Sequence, residues 1–507
     1  MDFSSRFRSF KGKYIKNDKK RVNNIIEDIR EAIGDTSRLI VREILIGQRQ
    51  QLEAVIMYAN GLANRDIIDS GILNPLMFKV NEEFTPSSNI ENYLCKKYIA
   101  VSNTYIEENF EKVVENIKRG KTIVVVKGSK KFVVVDTTGG PYRSIEEPPS
   151  DLSLRGPREG FIENLETNLT MLRRRIKDKN LKTEKFTLGR RSQTDLIMVY
   201  IDDVVDKEYL KKIKDEVKKI DIDSVPANST IEQCIEEHTY SIFPQIFGSE
   251  RPDVIAAHLM EGRIAFLLEG TSYVTVYPST FFDFFQTIED YYGRTIQAIF
   301  IRIIRIIAVF IVTSLPAIYI TFIKFNAELI PIEFVATLIQ SRKGIALTPF
   351  MSLLSMNFTI ELLREGGYRL PSKIGQTLSV VGGIIIGDAA LKAKIVSSAT
   401  LLVAGITTVA AFVISNYQMS TSIRLINYPM LILANWLGVL GIVIGWFFII
   451  AYLCSKENFG VPYFSFNKSD IKDIFVRAPI WQMDERPRII PNHNPVRQKD
   501  FKGGKNE

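Results

Sequence analysis

Hydroxyl side chains inside an apolar part of the chain are the first candidates for chemistry. Their positions step by four, three and four residues, so they share one face of a helix. Such a face could line a pore with weak dipoles that let ions pass without trapping them. It could equally hold helices together, because serine and threonine are common where membrane helices pack. The sequence leaves both interpretations open for this set, which is Thr348, Ser352, Ser355 and Thr359.

A second polar stripe lies on roughly the opposite side of the same predicted helix, at Asn357, Glu361 and Arg364. Because an unpaired charge is costly in hydrocarbon, we expect Glu361 and Arg364 to pair with each other or across a subunit interface. Pro316 lies in the middle of another apolar run, 306–323. It predicts a kink, which would suit a gate hinge but is also tolerated in ordinary membrane helices.

An arginine-rich stretch, RGPREGFIENLETNLTMLRRRIKD at 155–178, is the third candidate. It lacks a phosphate-binding loop, and its glutamates dilute the positive charge that a nucleic acid requires. We expect a helix to start at Pro157 or Gly160. We interpret the stretch as a brace between subdomains or subunits, in which guanidinium groups meet carboxylates. The members of this predicted brace are Arg155, Arg158, Glu159, Arg173, Arg174 and Arg175.

Catalytic chemistry is not indicated by the sequence. Three cysteines and three histidines are dispersed, without metal-ligand spacing. There is no nucleophile elbow and no H-E-x-x-H motif. We therefore predict that the chain is not an enzyme and has no metal, no cofactor and no nucleic-acid partner. The odd, scattered cysteines favour a reducing compartment.

The elements that must position these residues fall into two unlike halves. Residues 1–296 carry most of the charge, whereas 306–323, 395–414 and 428–454 are apolar runs long enough to cross about 30 Å of hydrocarbon. The segments 344–360 and 374–387 are weaker candidates. The C-terminal tail is basic and the N-terminal region lacks an export signal, so both ends are predicted to face the cytoplasm. That requires an even number of crossings, and we expect 374–387 to be the candidate that is not a full span.

The soluble half contains an internal repeat. VIMYANGLANRDII and IMVYIDDVVDKEYL align at an offset of 142 residues, from Tyr58 to Tyr200. GKTIVVVKGSKKFVVV and GRIAFLLEGTSYVTVY align at the same offset, from Gly120 to Gly262. Each half is typical of a buried strand, a turn, a helix and a β-hairpin with Gly128 or Gly270 at its tip. A single irregular α/β domain is the alternative.

The boundary between the halves contains charged and aromatic residues. Arg302 and Arg305 share one face of the first apolar helix and are expected to snorkel to the headgroups or to extend the helix out of the membrane. Tyr291 and Tyr292 are predicted to belong to an interfacial aromatic belt. The neighbouring phenylalanines are better explained as a core beneath the hairpin.

Several long stretches resemble the A subunits of the nutrient germinant receptors of spore-forming bacteria. They are the arginine-rich stretch itself, FTLGRRSQTDLIMVYID, and the segments 243–294, 361–398 and 470–483. The resemblance covers residues from about 30 to 485. It implies an integral protein of the spore inner membrane that works with a transporter-like B subunit and a lipoprotein C subunit. It also implies a homo-oligomeric ring, of five copies in the proposal for the family, whose helices form a cation channel that starts germination.

Two alternatives stay open beside a nutrient-gated channel. One is a non-conducting scaffold that relays the ligand state of the partner subunit. The other is a channel paralogue that amplifies germination without its own nutrient sensor. Relatives often carry acidic residues where this chain has Ser352 and Asn357, which argues against a simple acidic cation filter.

The predicted fold class is α/β plus an α-helical membrane domain, with two repeated α/β cytosolic subdomains before a multi-span helix bundle. The predicted boundaries are a basic tail at 1–21, subdomains at 22–147 and 160–296 with a linker at 148–159, a transmembrane domain of four to five segments at 297–455, and a basic cytosolic tail at 456–507.

Overall fold

The computed structural model of the chain divides into two compact units, Met1–Arg143 and Ser144–Glu507, and each is described by itself. Of the predicted basic tail, residues 1–17 lie outside the described part of the chain. The described residues are 18–33, 39–48, 51–60, 62–82, 89–129, 131–139, 144–148, 151, 153, 155–370, 372–465, 470–474 and 476–498.

The first unit is built on one five-stranded antiparallel sheet with the strand order β1-β2-β4-β5-β3. Its strands are Leu39–Ile46 (β1), Leu52–Ala59 (β2), Thr104–Glu107 (β3), Thr122–Val126 (β4) and Phe132–Val135 (β5). Its helices are Asp18–Ile33 (α1), Arg65–Ile68 (α2), Ile90–Tyr93 (α3) and Phe110–Lys118 (α4), with wider helical turns at Asp69–Leu73, Pro75–Lys79 and Leu94–Tyr98. Apolar side chains fill both faces of the sheet, with α1 and α4 on one of them.

The second unit begins with a sheet of the same design, in the order β6-β7-β9-β10-β8. Its strands are Leu181–Leu188 (β6), Thr194–Ile201 (β7), Phe247–Ser249 (β8), Ile264–Leu268 (β9) and Val274–Tyr277 (β10). Leu165–Arg175 (α5) and Pro252–Met260 (α8) cover one face, and Lys207–Lys219 (α6) and Asn228–Ile235 (α7) cover the other. A short helix, Glu289–Tyr292 (α9), follows a 3₁₀ turn at Phe281–Phe285.

The two sheets repeat at the offset found in the sequence. β1 begins at Leu39 and β6 at Leu181, and 181 − 39 is 142. The same difference separates β2 from β7, β4 from β9 and β5 from β10. Gly128 and Gly270 form the two hairpin tips, with φ of 90° and 82°. Glycine is favoured there because a side chain rarely adopts a positive φ.

Long helices make up most of the remaining chain. The helices are Thr295–Lys324 (α10), Ile332–Arg342 (α11), Pro349–Tyr368 (α12), Ser372–Lys392 (α13), Ser398–Val413 (α14), Tyr417–Leu437 (α15) and Val439–Cys454 (α16). Among the described residues, one helix, α10, is long and apolar enough by length and composition to cross a membrane, and two shorter apolar helices, α14 and α16, follow it.

One predicted span differs from the structure, and the prediction for 374–387 stays untested. The run 428–454 is not one helix: the chain turns at Gly438, with φ of 61°, and α16 packs back antiparallel to α15. A Cβ on Gly441 would lie 2.1 Å from the Leu433 carbonyl oxygen, so glycine lets the two helices approach closely. Segment 374–387, expected to fall short of a span, belongs to α13, a helix of 21 residues.

Contacts at both ends of the bundle show that the six longest helices alternate in direction. At the end far from the second sheet, Tyr319 of α10 lies 2.9 Å from Thr400 near the start of α14. Lys324 at the end of α10 donates to the Asn435 carbonyl near the end of α15. At the near end, Ser422 of α15 donates to the Ile242 carbonyl beside the second sheet. α12 starts at the far end, where Ser352 contacts the turn before α14, and Tyr368 at its end contacts Tyr417 at the start of α15. The chain therefore runs away from the second sheet and back to it three times, through α10 and α12–α16.

The C-terminal strap, defined as the described residues between 456 and 498, folds back over the second sheet. It contains a small hairpin, Glu457–Asn458 (β11) and Val461–Pro462 (β12), then Ile471–Ile474 (α17) and a 3₁₀ turn at Ile480–Gln482. Asn492 forms a β-bridge with Val205, and the His493 amide donates to the Val204 carbonyl. The described residues of the predicted basic tail are thus a packed part of the second unit.

Candidate functional site in the helical region

The four hydroxyl residues of the predicted stripe have different roles in the structure. Thr348 caps the start of α12, where its side chain accepts from the Met351 amide. Ser352 is fully buried and donates to the Ile395 carbonyl at 3.2 Å, so it joins α12 to the turn before α14. Ser355 and Thr359 are half-buried and donate to carbonyls of their own helix. Of the four hydroxyl groups, that of Ser352 is the one whose described hydrogen bond leaves α12.

The predicted pair of Glu361 and Arg364 is present, with an Nη1–Oε2 distance of 2.5 Å. The structure adds a third member, because Arg424 of α15 reaches the other oxygen of Glu361 at 3.2 Å. Glu361 therefore joins two helices and faces two arginines. Asn357 lies one turn away, and its buried amide nitrogen has no hydrogen-bond partner among the described residues.

Pro316 does not interrupt α10, which continues as one helix on both sides of it. A second internal proline, Pro429, lies in α15, the helix that packs closely on α10. Near these prolines, Trp446 of α16 donates its indole N–H to the Ser314 hydroxyl at 2.8 Å. Whether Pro316 acts as a hinge stays a prediction.

The base of α10 is held by a buried carboxylate. Asp290 of α9 is 2% exposed and accepts from Arg302 at 3.1 Å and from Arg305 at 2.7 Å. The expectation that these arginines snorkel to headgroups is wrong, whereas α10 does extend past them to Thr295. Asp290 gives both guanidinium groups a buried counterion, so the two arginines point into the protein and not to a headgroup. Arg302 Nη2 has no hydrogen-bond partner among the described residues.

The C-terminal strap reaches the same point. Asp473 accepts from Arg302 and from the Tyr291 hydroxyl, the latter at 2.7 Å. Burial raises the pKa of Asp473 above its usual range. Arg477 donates to the Tyr291 carbonyl and to the Thr295 hydroxyl at the first turn of α10. The strap, α9 and α10 therefore form one buried polar junction.

Tyr291 and Tyr292 were predicted for an aromatic belt, and the structure contradicts this. Tyr291 is directed to Asp473, while the Tyr292 hydroxyl donates to Asp253 at 2.7 Å. Burial, then the Asp253 carboxylate, raises the pKa of Tyr292 to about 12. The phenylalanines do form a core, with Phe284 fully buried against Phe247.

Two further ion pairs lie inside the second unit. Arg263, which is 3% exposed, holds Asp283 through both terminal nitrogens, at 2.6 and 2.8 Å. Arg251 holds Asp253 in the same bidentate way, at 2.8 and 3.1 Å. Bidentate pairing fixes geometry as well as charge. These pairs fasten the segments that lead from the sheet to α10.

The arginine-rich stretch begins its helix later than expected. α5 starts at Leu165, not at Pro157 or Gly160, because Asn164 caps it by accepting from the Thr167 amide. The preceding residues are extended, and the Phe161 amide donates to the Glu250 carbonyl.

The side chains of the predicted brace are only partly engaged within the second unit. Arg175 meets Glu159 at 3.1 Å, and Arg158 lies 4.0 Å from Glu147 while remaining largely exposed. Arg155 contributes its backbone amide, which donates to Glu289. The last two members, Arg173 and Arg174, are exposed. A brace between subdomains or subunits stays a prediction.

Comparison with known proteins identifies the family of the chain. Residues 27–489 match the family described as the Bacillus/Clostridium GerA spore germination protein. The chain belongs to this family. The resemblance seen in the sequence is thereby confirmed, and with it a role in spore germination.

The relatives of this GerA-family protein match it along most of their length. Spore germination protein KA of Bacillus subtilis (strain 168) is 35% identical over 93% of this chain and 87% of its own. Spore germination protein B1 of the same organism is 30% identical over 94% of this chain and 99% of its own. A crystal structure of the N-terminal domain of the A subunit of the Bacillus megaterium spore germinant receptor GerK3 is 29% identical over 50% of this chain and 94% of that chain, with a TM-score of 0.22.

Sequence reasoning missed three residues of the polar sites in this GerA-family chain. Arg424 lies just ahead of the apolar run 428–454, and nothing in the sequence indicated that its side chain packs inside the helix bundle. Asp290 and Asp473 stand among many surface carboxylates, and only the fold brings them to Arg302. An acid a few turns before a pair of arginines at helical spacing is the signal that could have suggested Asp290.

Proposed function

We propose that the chain crosses the spore inner membrane six times, through α10 and α12–α16. The expectation of an even number of crossings supports this, since the break at Gly438 divides one apolar run into two helices. Large apolar side chains more than half exposed lie along three of these helices, as expected for a surface that faces lipid. They are Ile296, Phe300 and Phe310 on α10, Leu402, Val409 and Phe412 on α14, and Leu440, Phe447 and Phe448 on α16.

We further propose that copies of the chain assemble as a ring, with five members as the family resemblance implies, and that α12 lines a cation path through it. The observation that carries this is the state of Ser355 and Thr359, whose half-buried hydroxyls have, among the described residues, partners only on their own helix. Hydroxyl dipoles on the inner side of a ring would replace part of an ion's hydration without binding it tightly.

The cluster of Glu361, Arg364 and Arg424 has one acid and two bases, so it is unsuited to attract cations. We assign it to fastening α12 to α15, because Glu361 pairs with an arginine on each helix and its removal would leave both arginines without their carboxylate. Opening would start at the junction of Asp290 with Arg302 and Arg305, which connects α10 to the second sheet. A transporter-like B subunit and a lipoprotein C subunit would supply the nutrient signal.

The test is potassium release from spores that carry substituted chains. Thr359→Leu should block release after nutrient addition, and Ser355→Ala and Thr359→Ala should leak before it. Thr408 of α14 is a matched control, because its hydroxyl also donates to a carbonyl one turn back in its own helix at 2.8 Å. Thr408→Leu should leave release unchanged. If both leucine variants assemble and release potassium normally, α12 does not line the path.

A non-conducting scaffold is the second candidate, and Ser352 favours it. Its buried hydroxyl joins α12 to the turn before α14, which supports a packing role for part of the stripe. In a scaffold, Ser352→Ala would lower stability by about 1 kcal/mol, and the Ser355 and Thr359 variants would have no effect on ion flux.

A further inference from the structure

A cavity of about 220 Å³ lies between the C-terminal strap and the end of the second sheet. Arg263 and Asp283 line it from the sheet side, and Lys472, Arg486 and Arg497 line it from the strap. Both walls belong to the second unit. Drug-sized ligands occupy pockets of about 300–1,000 Å³, so this cavity suits a smaller molecule.

The acidic groups deep in this cavity already have partners. Asp283 and Glu261 both pair with Arg263, at 2.6 and 3.3 Å. Asp473 accepts from Tyr291 and Arg302. Their negative charge is therefore largely compensated inside the protein.

The acidic groups of the strap wall are also engaged, with one exception. Glu485 pairs with Arg488 at 2.9 Å, and the Asp470 carboxylate accepts from the amides of Arg488 and Ile489. Asp484 is exposed at the surface. A single exposed carboxylate is a weak counterion, because water screens it.

The basic groups of the strap wall have weaker counterions. Among the described residues, no carboxylate pairs with Lys472, Arg486 or Arg497. The Arg486 guanidinium donates only to backbone carbonyls, among them Met260 and Asn494 at 2.7 Å each. Burial, then the positive charge of Arg497, lowers the pKa of Arg486. Arg486 and Arg497 therefore repel each other in one cavity, and Glu261 and Asp203 offset this repulsion only from beyond ion-pair distance. An anion bound between the two guanidinium groups would lower the repulsion further.

The opposite wall contributes one more free donor. Arg263 is 3% exposed, and its Nε has no hydrogen-bond partner among the described residues. Buried donors in native proteins are nearly always paired, so an unpaired one beside a cavity indicates a missing acceptor.

We propose that this cavity is a binding site for a small soluble oxyanion, a carboxylate or phosphate compound, held between Arg486, Arg497 and Lys472. The same strap presents Asp473 to Arg302 at the base of α10. A ligand that joins the strap to the sheet therefore stabilises the state in which that junction is closed, since any ligand favours the conformation that binds it. The site would act as an effector site, separate from nutrient sensing and from the ion path.

The experiment uses the full chain in nanodiscs of phosphatidylcholine, so that the bilayer supplies no net anionic headgroup. Thermal unfolding and tryptic cleavage of the strap are followed as sodium phosphate or sodium succinate replaces sodium chloride at constant ionic strength. We expect saturable protection by at least one of the two oxyanions. Arg497→Gln, a change at an exposed position, should weaken it about tenfold or more, which is the loss of one charge-assisted hydrogen bond.

Lys219→Gln is the matched control, because Lys219 is an exposed base of the second unit whose charge is paired with Glu216, and neither residue lines the cavity. Protection should remain unchanged in this variant. The proposal is overturned if neither oxyanion protects the wild type beyond chloride, or if Lys219→Gln loses as much as Arg497→Gln. The experiment measures ligand binding by thermal unfolding and tryptic cleavage and does not depend on ion flux. Its result is therefore independent of whether α12 lines an ion path.

Discussion

The two α/β repeats share their strand order and most of their strand boundaries, yet they use charge differently. The ion pairs described in the first repeat lie at the surface, as between Lys127 and Glu53. In the second repeat, Arg251 and Arg263 are buried with their carboxylates. The common fold therefore depends on the apolar strands, and the buried charges belong to the attachment of the second repeat to α10 and the strap.

Equivalent positions make the contrast concrete. Lys121 stands 142 residues before Arg263, and both follow a glycine of positive φ, Gly120 or Gly262. Lys121 donates to the Tyr105 hydroxyl at 3.3 Å near the surface, whereas Arg263 forms a bidentate buried pair with Asp283. In the first repeat the residue after the glycine makes one hydrogen bond near the surface. In the second repeat the equivalent residue, Arg263, binds Asp283 in the segment that connects the sheet to α10.

The largest effect should come from breaking the buried pair of the second repeat. Arg263→Met leaves Asp283 buried without its counterion, which should cost about 3–5 kcal/mol of stability. Lys121→Met at the equivalent position should cost less than about 1 kcal/mol. Hydrogen exchange measures the stability of each repeat separately, through the amides of β4 in the first repeat and those of β9 in the second. The double change Arg263→Met with Asp283→Leu should recover most of the loss, and failure to do so would show that Arg263 acts through packing.

A pH dependence should distinguish the repeats next. Burial, then the neighbouring Glu236 carboxylate, raises the pKa of Glu232 from 4.5 to about 7, while the equivalent position 142 residues earlier is Ile90. The folded state holds the proton more tightly, so stability is fully present below pH 4.5 and is lost as pH rises to about 7. The rise in the pKa of Glu232 from 4.5 to about 7 corresponds to a loss of on the order of 3 kcal/mol in the free energy of unfolding at high pH.

Glu232→Gln should remove this loss, so that the second repeat is more stable than the wild type at pH 8 and unchanged at pH 4. Exchange rates of β9 amides between pH 5 and pH 8, corrected for intrinsic rates, measure it. The first repeat, read at β4, provides the internal control. An identical pH dependence in the variant would assign the effect to another group, Glu236 being the next candidate because burial raises its pKa as well.

The smallest effect should be the same in both repeats. Gly128→Ala and Gly270→Ala place a Cβ where nothing lies within 4 Å, so only the positive φ opposes them. Each should cost about 1 kcal/mol. Unequal losses, measured by the same exchange experiment, would show that one of the hairpin tips contacts something in the assembled protein.

The repeat was predictable because its strands are continuous apolar runs at one offset. The outer strands were not, since β6 reads LKTEKFTL and its polar side chains hide the pattern of an edge strand. The turn at Gly438 was missed for the opposite reason: 428–454 is apolar throughout, and hydropathy does not distinguish one helix from two.

The candidate sites were predictable where partners are close in sequence. Glu361 and Arg364 are one helical turn apart, and their pairing followed from spacing. Arg424 and Asp473 reach their partners across 63 and 171 residues, and such contacts depend on the packing of whole elements. The strap was read as a basic tail because composition shows charge and does not show where the chain folds.

The unequal lengths of the helices have a mechanical consequence in the arrangement proposed for the membrane. α14 and α16 have 16 residues each, which at 1.5 Å per residue is about 24 Å, whereas α10 has 30 residues and is about 45 Å long. A bilayer with a hydrocarbon core of about 30 Å must thin beside the short helices, while the long helix tilts or projects. In that arrangement the mismatch between bilayer thickness and the short helices costs free energy, and lipids with shorter chains lower this cost.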